Sequence, residues 1–233
     1  MNTENLKDIS NNVETLHSFI FSQQSKPLAA INSIFTALLP FCTPLFLSAG
    51  EIFPSVREDG ENNIILLEEG ICSVFYTKTQ LHAGVIFAPS VTGMGDSYAT
   101  HYNISKQPLY AMIAETDCKY YVIRQTDFLS CADKFDLWHD IARILMQRLI
   151  LMGAREQEQV GVDSYLKVRV LLIEVWAYPE DYRQQINILK FIQRRTGLSK
   201  SRIMKILSEL RKGGYISIDN GKLIQVKKLP AAF

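Results

Sequence analysis

Residues 188–226 read ILKFIQRRTGLSKSRIMKILSELRKGGYISIDNGKLIQV, and this stretch decides the fold of the C-terminal part of the chain. Residues 190–196 are typical of a short helix, and Gly197 allows a sharp turn because glycine adopts positive φ at little cost. Ser199 is placed to cap a second helix from about Lys200 to Lys212. Apolar residues recur along that helix at spacings of three and four, which predicts one buried face: Ile203, Ile206, Leu207 and Leu210.

The residues after this second helix are typical of a β-hairpin. A Gly-Gly pair at 213–214 ends the helix. Two alternating segments, 215–218 and 222–226, flank an Asp-Asn-Gly turn at 219–221. A helix, a glycine turn, a capped helix and a hairpin in this order predict a winged helix-turn-helix.

The same part of the chain carries most of the positive charge. Residues 187–233 contain eleven Lys or Arg and only two acidic residues, for a net charge near +9, whereas the first 186 residues are near −8. A basic end on an acidic body is typical of a nucleic-acid-binding domain joined to a separate domain. A solvated Lys-rich tail is the alternative, but apolar residues at helical spacing disfavour it.

The first turns of the second helix are predicted to enter the major groove of DNA, where Lys and Arg donate hydrogen bonds to guanine. We predict base contacts from Lys200, Ser201, Arg202 and Lys205. The phosphate backbone is predicted to contact Arg194, Arg195, Ser199, Lys212 and Lys222. For each basic residue the alternative is a solvated side chain with no DNA contact.

The N-terminal two thirds of the chain are predicted to hold a β domain. Residues 1–40 have helical periodicity, and short strand-like segments separated by turn residues follow from 43 to 124. Several short strands at this spacing predict an antiparallel sandwich or a jelly-roll barrel. The candidate strands are 45–47, 64–67, 72–77, 84–87, 111–115 and 120–123.

A long helix near Trp138–Gln159 is predicted to follow the β domain, with Asp133 as its candidate cap and Gly161 at its end. Its apolar residues form a heptad-like stripe. The stripe could pack on the barrel or form a dimer interface, and we favour the dimer interface. The predicted interface residues are Trp138, Ile141, Leu145, Leu149 and Met152.

Other classes of protein find little support in the sequence. No secretory signal and no convincing membrane span is visible, which predicts a cytoplasmic protein without membrane contact. The β domain offers only His82 and His101, without an H-x-H pair, and no phosphate-binding loop or nucleophile motif occurs. We therefore predict no enzymatic activity, no metal site and no cofactor.

Two groups of residues leave their roles open. The four cysteines, Cys42, Cys72, Cys118 and Cys131, are scattered without a C-x-x-C pair, so buried free thiols are expected, and a redox role is the alternative. A tyrosine-rich set could line a ligand pocket, although ordinary sheet packing is the simpler interpretation. This set comprises Tyr76, Tyr98, Tyr102, Tyr110, Tyr120 and Tyr121.

The order of a barrel, a long helix and a winged helix-turn-helix resembles the CRP/FNR superfamily of bacterial transcription regulators. This resemblance covers about residues 27–226. Residues 194–230, RRTGLSKSRIMKILSELRKGGYISIDNGKLIQVKKLP, look more narrowly like the enterobacterial regulators named for inhibition of hydrogen-peroxide resistance. The resemblance implies that residues 199–205 begin the recognition helix and that the long helix is the dimer interface.

This sequence departs from the family pattern at the residues that bind cyclic AMP or an iron–sulfur cluster in other members. Members that bind cyclic AMP carry a Gly-Glu turn followed by an Arg-Ser or Arg-Thr pair that holds the phosphate. Here residues 92–110 read TGMGDSYATHYNISKQPLY, with Asp96 in the place of the glutamate and Gln-Pro at 107–108 about where the pair belongs. A buried phosphate without a cation is poorly compensated, so cyclic-nucleotide binding is not expected. The N-terminal cysteine cluster of the iron–sulfur members is also absent from this sequence.

These observations predict an α+β protein that acts as a dimeric, sequence-specific DNA-binding transcription regulator with a degenerate sensory barrel. The predicted partners are double-stranded DNA with a near-palindromic site and a second copy of the chain, and RNA polymerase is a candidate. One alternative is an adaptor that binds protein through both domains, and another is a regulator gated by an unfamiliar ligand. The predicted domains are a helical segment at 1–26, the cyclic-nucleotide-binding-like jelly-roll barrel at 27–130, the dimerisation helix at 131–162 and the winged domain at 163–233.

Overall fold

A computed structural model of the chain describes residues 17–54, 62–104 and 110–232, with only the backbone of Thr100. The chain divides into two compact units. One unit contains residues 27–146, and the other combines residues up to 26 with those from 147 onward. Among the described helices, none combines the length and the apolar character that spanning a bilayer requires.

The first unit, called the β unit here, contains two antiparallel sheets. Its strands are β1 (Thr43–Leu47), β2 (Asn63–Glu69), β3 (Ile71–Tyr76), β4 (His82–Phe87), β5 (Ser90–Thr92), β6 (Tyr110–Ala114) and β7 (Cys118–Arg124). The four-stranded sheet has the order β1-β7-β2-β5, and the three-stranded sheet has the order β4-β3-β6. The described strands do not close into a barrel, so the predicted jelly roll is observed as two separate sheets.

Strand β2 lies at the centre of the β unit because both of its faces are covered. Ile64 and Leu66 point to a core that includes helical residues, whereas Ile65 and Leu67 point to a second core. The second core includes Cys72 of the three-stranded sheet. This double burial explains why β2 is a continuous apolar run rather than an alternating one.

Helices cover one side of the four-stranded sheet. Residues 28–38 form the predicted N-terminal helix, but residues 94–101 and 125–134 form two helices that sequence periodicity did not predict. The Asn62 Nδ2 atom donates to the Asp96 carbonyl (3.0 Å), and Gln125 Nε2 donates to the Ser97 carbonyl (2.9 Å). Contacts with residues distant in sequence therefore hold the helix at 94–101. The helices are α2 (Leu28–Leu38), α3 (Met94–His101) and α4 (Gln125–Lys134), after α1 (Ser18–Gln24) of the other unit.

The long helix, α5 (Trp138–Gln159), ends before Gly161 as predicted, but Asp133 is not its cap, because Asp133 lies within α4 and α5 begins at Trp138. The next helix starts at Ser164, and Asp163 is its cap, since the Asp163 side chain accepts from the Leu166 N–H (2.9 Å). The remaining elements are α6 (Ser164–Trp176), α7 (Glu180–Arg183), α8 (Ile188–Thr196), α9 (Lys200–Lys212), β8 (Ile216–Asp219) and β9 (Lys222–Val226).

Helix α1 packs in the same unit as the winged helix, which we call the winged unit. The Glu158 carboxylate of α5 accepts from the Ser18 N–H (2.7 Å) and the Ser18 hydroxyl (2.5 Å), so it caps α1. The His17 Nε2 atom lies 3.0 Å from the Val170 carbonyl. The Phe19 ring contacts the Tyr178 ring edge-on, with 4.9 Å between centroids. The N-terminal segment is therefore joined to helices that lie more than a hundred residues later in the chain.

Candidate nucleic-acid interface

The turn between α8 and α9 has the local geometry that the sequence predicts. Gly197 adopts φ of 68°, a left-handed conformation that other residues rarely adopt. The Ser199 Oγ atom accepts from the Arg202 N–H (3.3 Å), which confirms Ser199 as the N-cap of α9. The Asn187 side chain caps α8 in the same manner by accepting from the Lys190 N–H (3.0 Å).

Helix α9 buries one face and exposes a basic one. Its four predicted apolar residues, Ile203, Ile206, Leu207 and Leu210, are all buried. The four side chains that the sequence predicts to contact bases are all exposed: Lys200, Ser201, Arg202 and Lys205. Because an α-helix turns about 100° per residue, Ser201 and Lys205 lie opposite the buried face, whereas Lys200 and Arg202 flank it.

Two exposed residues of α9 escaped the sequence-based assignment. Met204 and Ser208 are exposed on the side of the helix that carries Ser201 and Lys205. A helical wheel places both there once the buried positions are fixed. The prediction was restricted to side chains that form hydrogen bonds near the start of the helix, whereas Met204 is apolar and Ser208 lies further along the helix.

The two arginines of α8 have opposite environments. Arg194 is exposed, but Arg195 is only 5% exposed, and its Nη2 atom lies 3.0 Å from Glu174 Oε2 of α6. The prediction that Arg195 contacts the DNA backbone is therefore wrong, because its guanidinium is directed into the winged unit. A partner 21 residues away in the chain gives no local signal of this burial.

Glu174 and Arg195 belong to a buried polar cluster. The Tyr178 hydroxyl donates to Glu174 Oε1 (2.5 Å). Burial alone would raise the pKa of Glu174, but the Arg195 guanidinium, the Tyr178 hydroxyl and Arg155 outweigh it and hold that pKa below its usual value. Burial and the Glu174 carboxylate raise the pKa of Tyr178 well above its usual value. This cluster fixes α8 on α6 and thereby positions the turn that leads into α9.

The remaining predicted backbone contacts lie at the surface. Lys222 is exposed at the start of β9, next to a hairpin turn in which Asn220 and Gly221 both have positive φ. The Ile188 N–H donates to the Gly221 carbonyl (2.8 Å), so the hairpin is joined to the start of α8. Lys212 is exposed and forms an ion pair with Glu209 (3.0 Å).

The stripe on α5 divides into exposed and buried residues. Trp138, Leu145, Leu149 and Met152 are exposed, as are Met146 and Ile150 beside them. Ile141 is only 4% exposed and packs in a core of the β unit with Ile144, so its assignment to a dimer interface is wrong. Ile141 and Ile144 therefore pack in a core of the β unit, whereas Trp138 and the stripe from Leu145 onward are exposed.

The tyrosine-rich set of the β unit contains two ring pairs and two residues with other partners. Tyr76 contacts Tyr110 (4.8 Å between centroids), Tyr98 contacts Tyr102 (4.6 Å), and Tyr120 packs on Phe53 in the core. The Tyr121 hydroxyl donates to Glu68 (3.1 Å).

In the segment compared with the cyclic-AMP site, burial raises the pKa of the Asp96 carboxyl. The Gln-Pro pair at 107–108 lies outside the described residues.

All four cysteines are free thiols. Cys72, Cys118 and Cys131 are buried, and Cys42 is half-buried. Burial raises the pKa of Cys42 to about 12, with Cys131 contributing, and burial also raises the pKa of the other three thiols. Among the described side chains, no group of three or more His, Cys, Asp or Glu is placed to hold a metal ion.

Comparison with known proteins agrees with this architecture. Residues 164–231 match the family described as winged helix-turn-helix DNA binding. The chain is 28% identical over 188 residues to the inhibitor of hydrogen peroxide resistance of Salmonella typhimurium, covering 81% of this chain and 87% of that protein. The protein of that name from Escherichia coli K12 is 26% identical over 210 residues, covering 89% and 98%.

Two solved structures have a similar fold at low sequence identity. The c-di-GMP responsive global regulator CLP of Xanthomonas campestris aligns with a TM-score of 0.64 at 14% identity, covering 84% of this chain and 99% of that one. A transcriptional regulator of the CRP/FNR family from Thermus thermophilus aligns with a TM-score of 0.59 at 15% identity, covering 80% and 94%. The resemblance predicted from the sequence is thus confirmed, and the chain has the fold of the CRP/FNR transcription regulators with a winged helix-turn-helix at its C-terminal end.

Proposed function

We propose that the chain is a dimeric, sequence-specific DNA-binding transcription regulator of CRP/FNR type, acting in the cytoplasm without enzymatic activity. The observation that carries this proposal is the first half of α9. There a capped helix exposes three basic side chains while its apolar face is fully buried. Such a helix end fits the major groove, with Lys200, Ser201, Arg202 and Lys205 near base edges.

The phosphate contacts are proposed for the exposed basic residues around α9. Arg194 lies on the preceding helix, Lys212 at the end of α9 and Lys222 on the hairpin, and all three are exposed. Ser199 adds a hydroxyl at the helix start. These side chains would set the orientation of the winged unit on the duplex without selecting a sequence.

Dimerisation through α5 is supported by its exposed stripe, Leu145, Leu149 and Met152, with Trp138 at the start of the helix. Leu149 is 60% exposed, which is unusual for a large apolar residue on a helix at 3–4 spacing with others. Pairing of two such helices would place two winged units on successive major grooves, which implies a near-palindromic site. RNA polymerase remains a candidate partner on the same proposal.

The β unit is proposed to have lost the phosphate site of cyclic-nucleotide-binding relatives. Residues 92–110 contain no arginine, and a buried cyclic phosphate would lack the guanidinium that compensates its charge. An effector of the β unit would therefore have to bind without an arginine–phosphate contact.

The test is DNA binding of the purified chain to a randomised duplex pool at several salt concentrations. We expect retained sequences to share a near-palindromic motif and the affinity to fall by several decades between low and moderate salt. The double variant Lys200→Ala/Lys205→Ala should lose this binding. A matched control, Lys78→Ala/Lys119→Ala, removes two positive charges from the β unit and should bind normally. An adaptor that uses the winged unit to bind protein would select no DNA motif at any salt.

A further inference from the structure

Met204 is a large apolar residue on the exposed side of α9. Its side chain is 49% exposed. It lies three residues after Ser201, four residues before Ser208 and next to Lys205, and all of these neighbours are exposed. Residues three and four apart on a helix share a face, so Met204 belongs to the surface that carries the proposed base contacts.

The polar neighbours of Met204 can recognise only hydrogen-bonding groups of the bases. The major-groove edge of thymine also carries a C5-methyl group, which an apolar side chain contacts and a lysine or serine does not favour. Methionine suits this contact because its unbranched, flexible thioether adapts to a nearby surface. We propose that Met204 is a specificity-determining residue that selects thymine in each half-site through the C5-methyl group.

Exposure alone would not support this assignment, because single apolar residues are common on protein surfaces. Ile224 on the hairpin is exposed to the same degree, at 50%. What distinguishes Met204 is its place within the row formed by Ser201, Lys205 and Ser208. The inference rests on the proposed function, since it assigns one base preference to the same helix.

The experiment replaces thymine by deoxyuridine, which removes the methyl group and keeps every hydrogen-bonding group. The duplex is the motif selected by the wild-type chain, and each thymine pair related by the palindrome is substituted in turn. At one thymine position of the motif we expect the wild-type affinity to fall about four-fold for each half-site that carries deoxyuridine. The reason is that each substitution removes one methyl-sized contact. The dissociation constant is measured by fluorescence anisotropy at fixed salt.

Three variants separate Met204 from its surroundings. Met204→Ala should bind the thymine and deoxyuridine duplexes with equal affinity, because the contacting side chain is gone. Met204→Leu keeps an apolar side chain of similar volume and should retain the preference. Ile224→Ala removes an equally exposed apolar residue of the hairpin and should retain it fully.

The outcomes distinguish this inference from the proposed function. An equal effect of deoxyuridine on wild type and Met204→Ala, or no effect at any thymine, would overturn the role of Met204 while leaving sequence-specific binding intact. Failure of the wild-type chain to select any motif would overturn the proposed function itself, and the role of Met204 with it.

Discussion

Arg195 of α8 and Glu174 of α6 form an ion pair with 3.0 Å between Nη2 and Oε2, and both side chains are almost completely buried. Lys212 and Glu209 are separated by the same 3.0 Å at the surface of α9. The two pairs have the same N···O distance but differ in burial, so they allow the effect of burial to be compared within one unit.

Arg195→Ala should lower the free energy of unfolding by roughly 3–5 kcal/mol, because the buried Glu174 carboxylate loses its ion-pair partner. Lys212→Ala should change the free energy of unfolding by less than about 1 kcal/mol, because exposed pairs contribute little. Urea unfolding followed by circular dichroism measures both. Similar losses for the two variants would show that the buried pair does not hold α8 on α6.

Acid should weaken the winged unit through Glu174. Its pKa in the folded chain lies below its usual value, so the carboxylate contributes stability that is complete above the unfolded-state pKa, about 4.3. That contribution is lost as the pH falls through the folded-state pKa. Glu174→Gln should therefore be less stable than wild type at pH 7, yet lose less stability on acidification below about pH 4.5. If the urea midpoints of wild type and Glu174→Gln changed in parallel with pH, Glu174 would not be the source of the acid sensitivity.

Leu149 and Ile141 lie on one predicted stripe but should respond differently to substitution. Leu149→Glu should convert a dimer to a monomer in sedimentation equilibrium, because it places a charge in the proposed interface. Ile141→Ala should leave the dimer intact but cost roughly 2–5 kcal/mol of stability, because it opens a cavity in a core of the β unit.

Gln157→Glu, an exposed polar position on the same helix, is the control for added charge and should remain dimeric. A dimer that persists in Leu149→Glu would exclude the stripe as the interface. If Ile141→Ala were a folded monomer, Ile141 would have to be assigned to the dimer interface.

The four thiols should be unreactive in the folded chain. A thiolate is the reactive form, and burial holds the pKa of every cysteine above its usual value, at about 12 for Cys42. A disulfide reagent at pH 8 should label the native chain slowly and label four thiols rapidly in urea. Rapid labelling of one cysteine in the native chain would reopen a redox role for that residue.

Local signals predicted the winged helix-turn-helix well. The Ser199 cap, the glycine turn and the Asp-Asn-Gly hairpin each depend on residues within a few positions, and α9 has the predicted bounds. The role of Arg195 could not be predicted in the same way, because its environment is set by Glu174 on another helix. Apolar periodicity also does not show where along a helix the packing partner changes. Ile141 and Leu149 were therefore assigned to one interface, although only Leu149 is exposed.

The β unit was less predictable than the winged unit. Helix α3 lies in a region where the sequence predicts only strands and turns, and the backbone carbonyls of Asp96 and Ser97 accept hydrogen bonds from Asn62 and Gln125. These donors are distant in sequence. Strand spacing predicted several short antiparallel strands, but it does not specify how the strands are divided between the two sheets.

The capping of α1 by Glu158 has a practical consequence for anyone who wishes to study the DNA-binding part in isolation. A fragment cut just before Asp163 would discard both Glu158 and the helix it caps, and it would strip Phe19 from the ring of Tyr178. Since the β unit is inserted between residues 26 and 147, a faithful minimal fragment must be a fusion. Splicing residues 17–26 through a flexible linker to residues 147–232 would preserve those contacts in a single polypeptide.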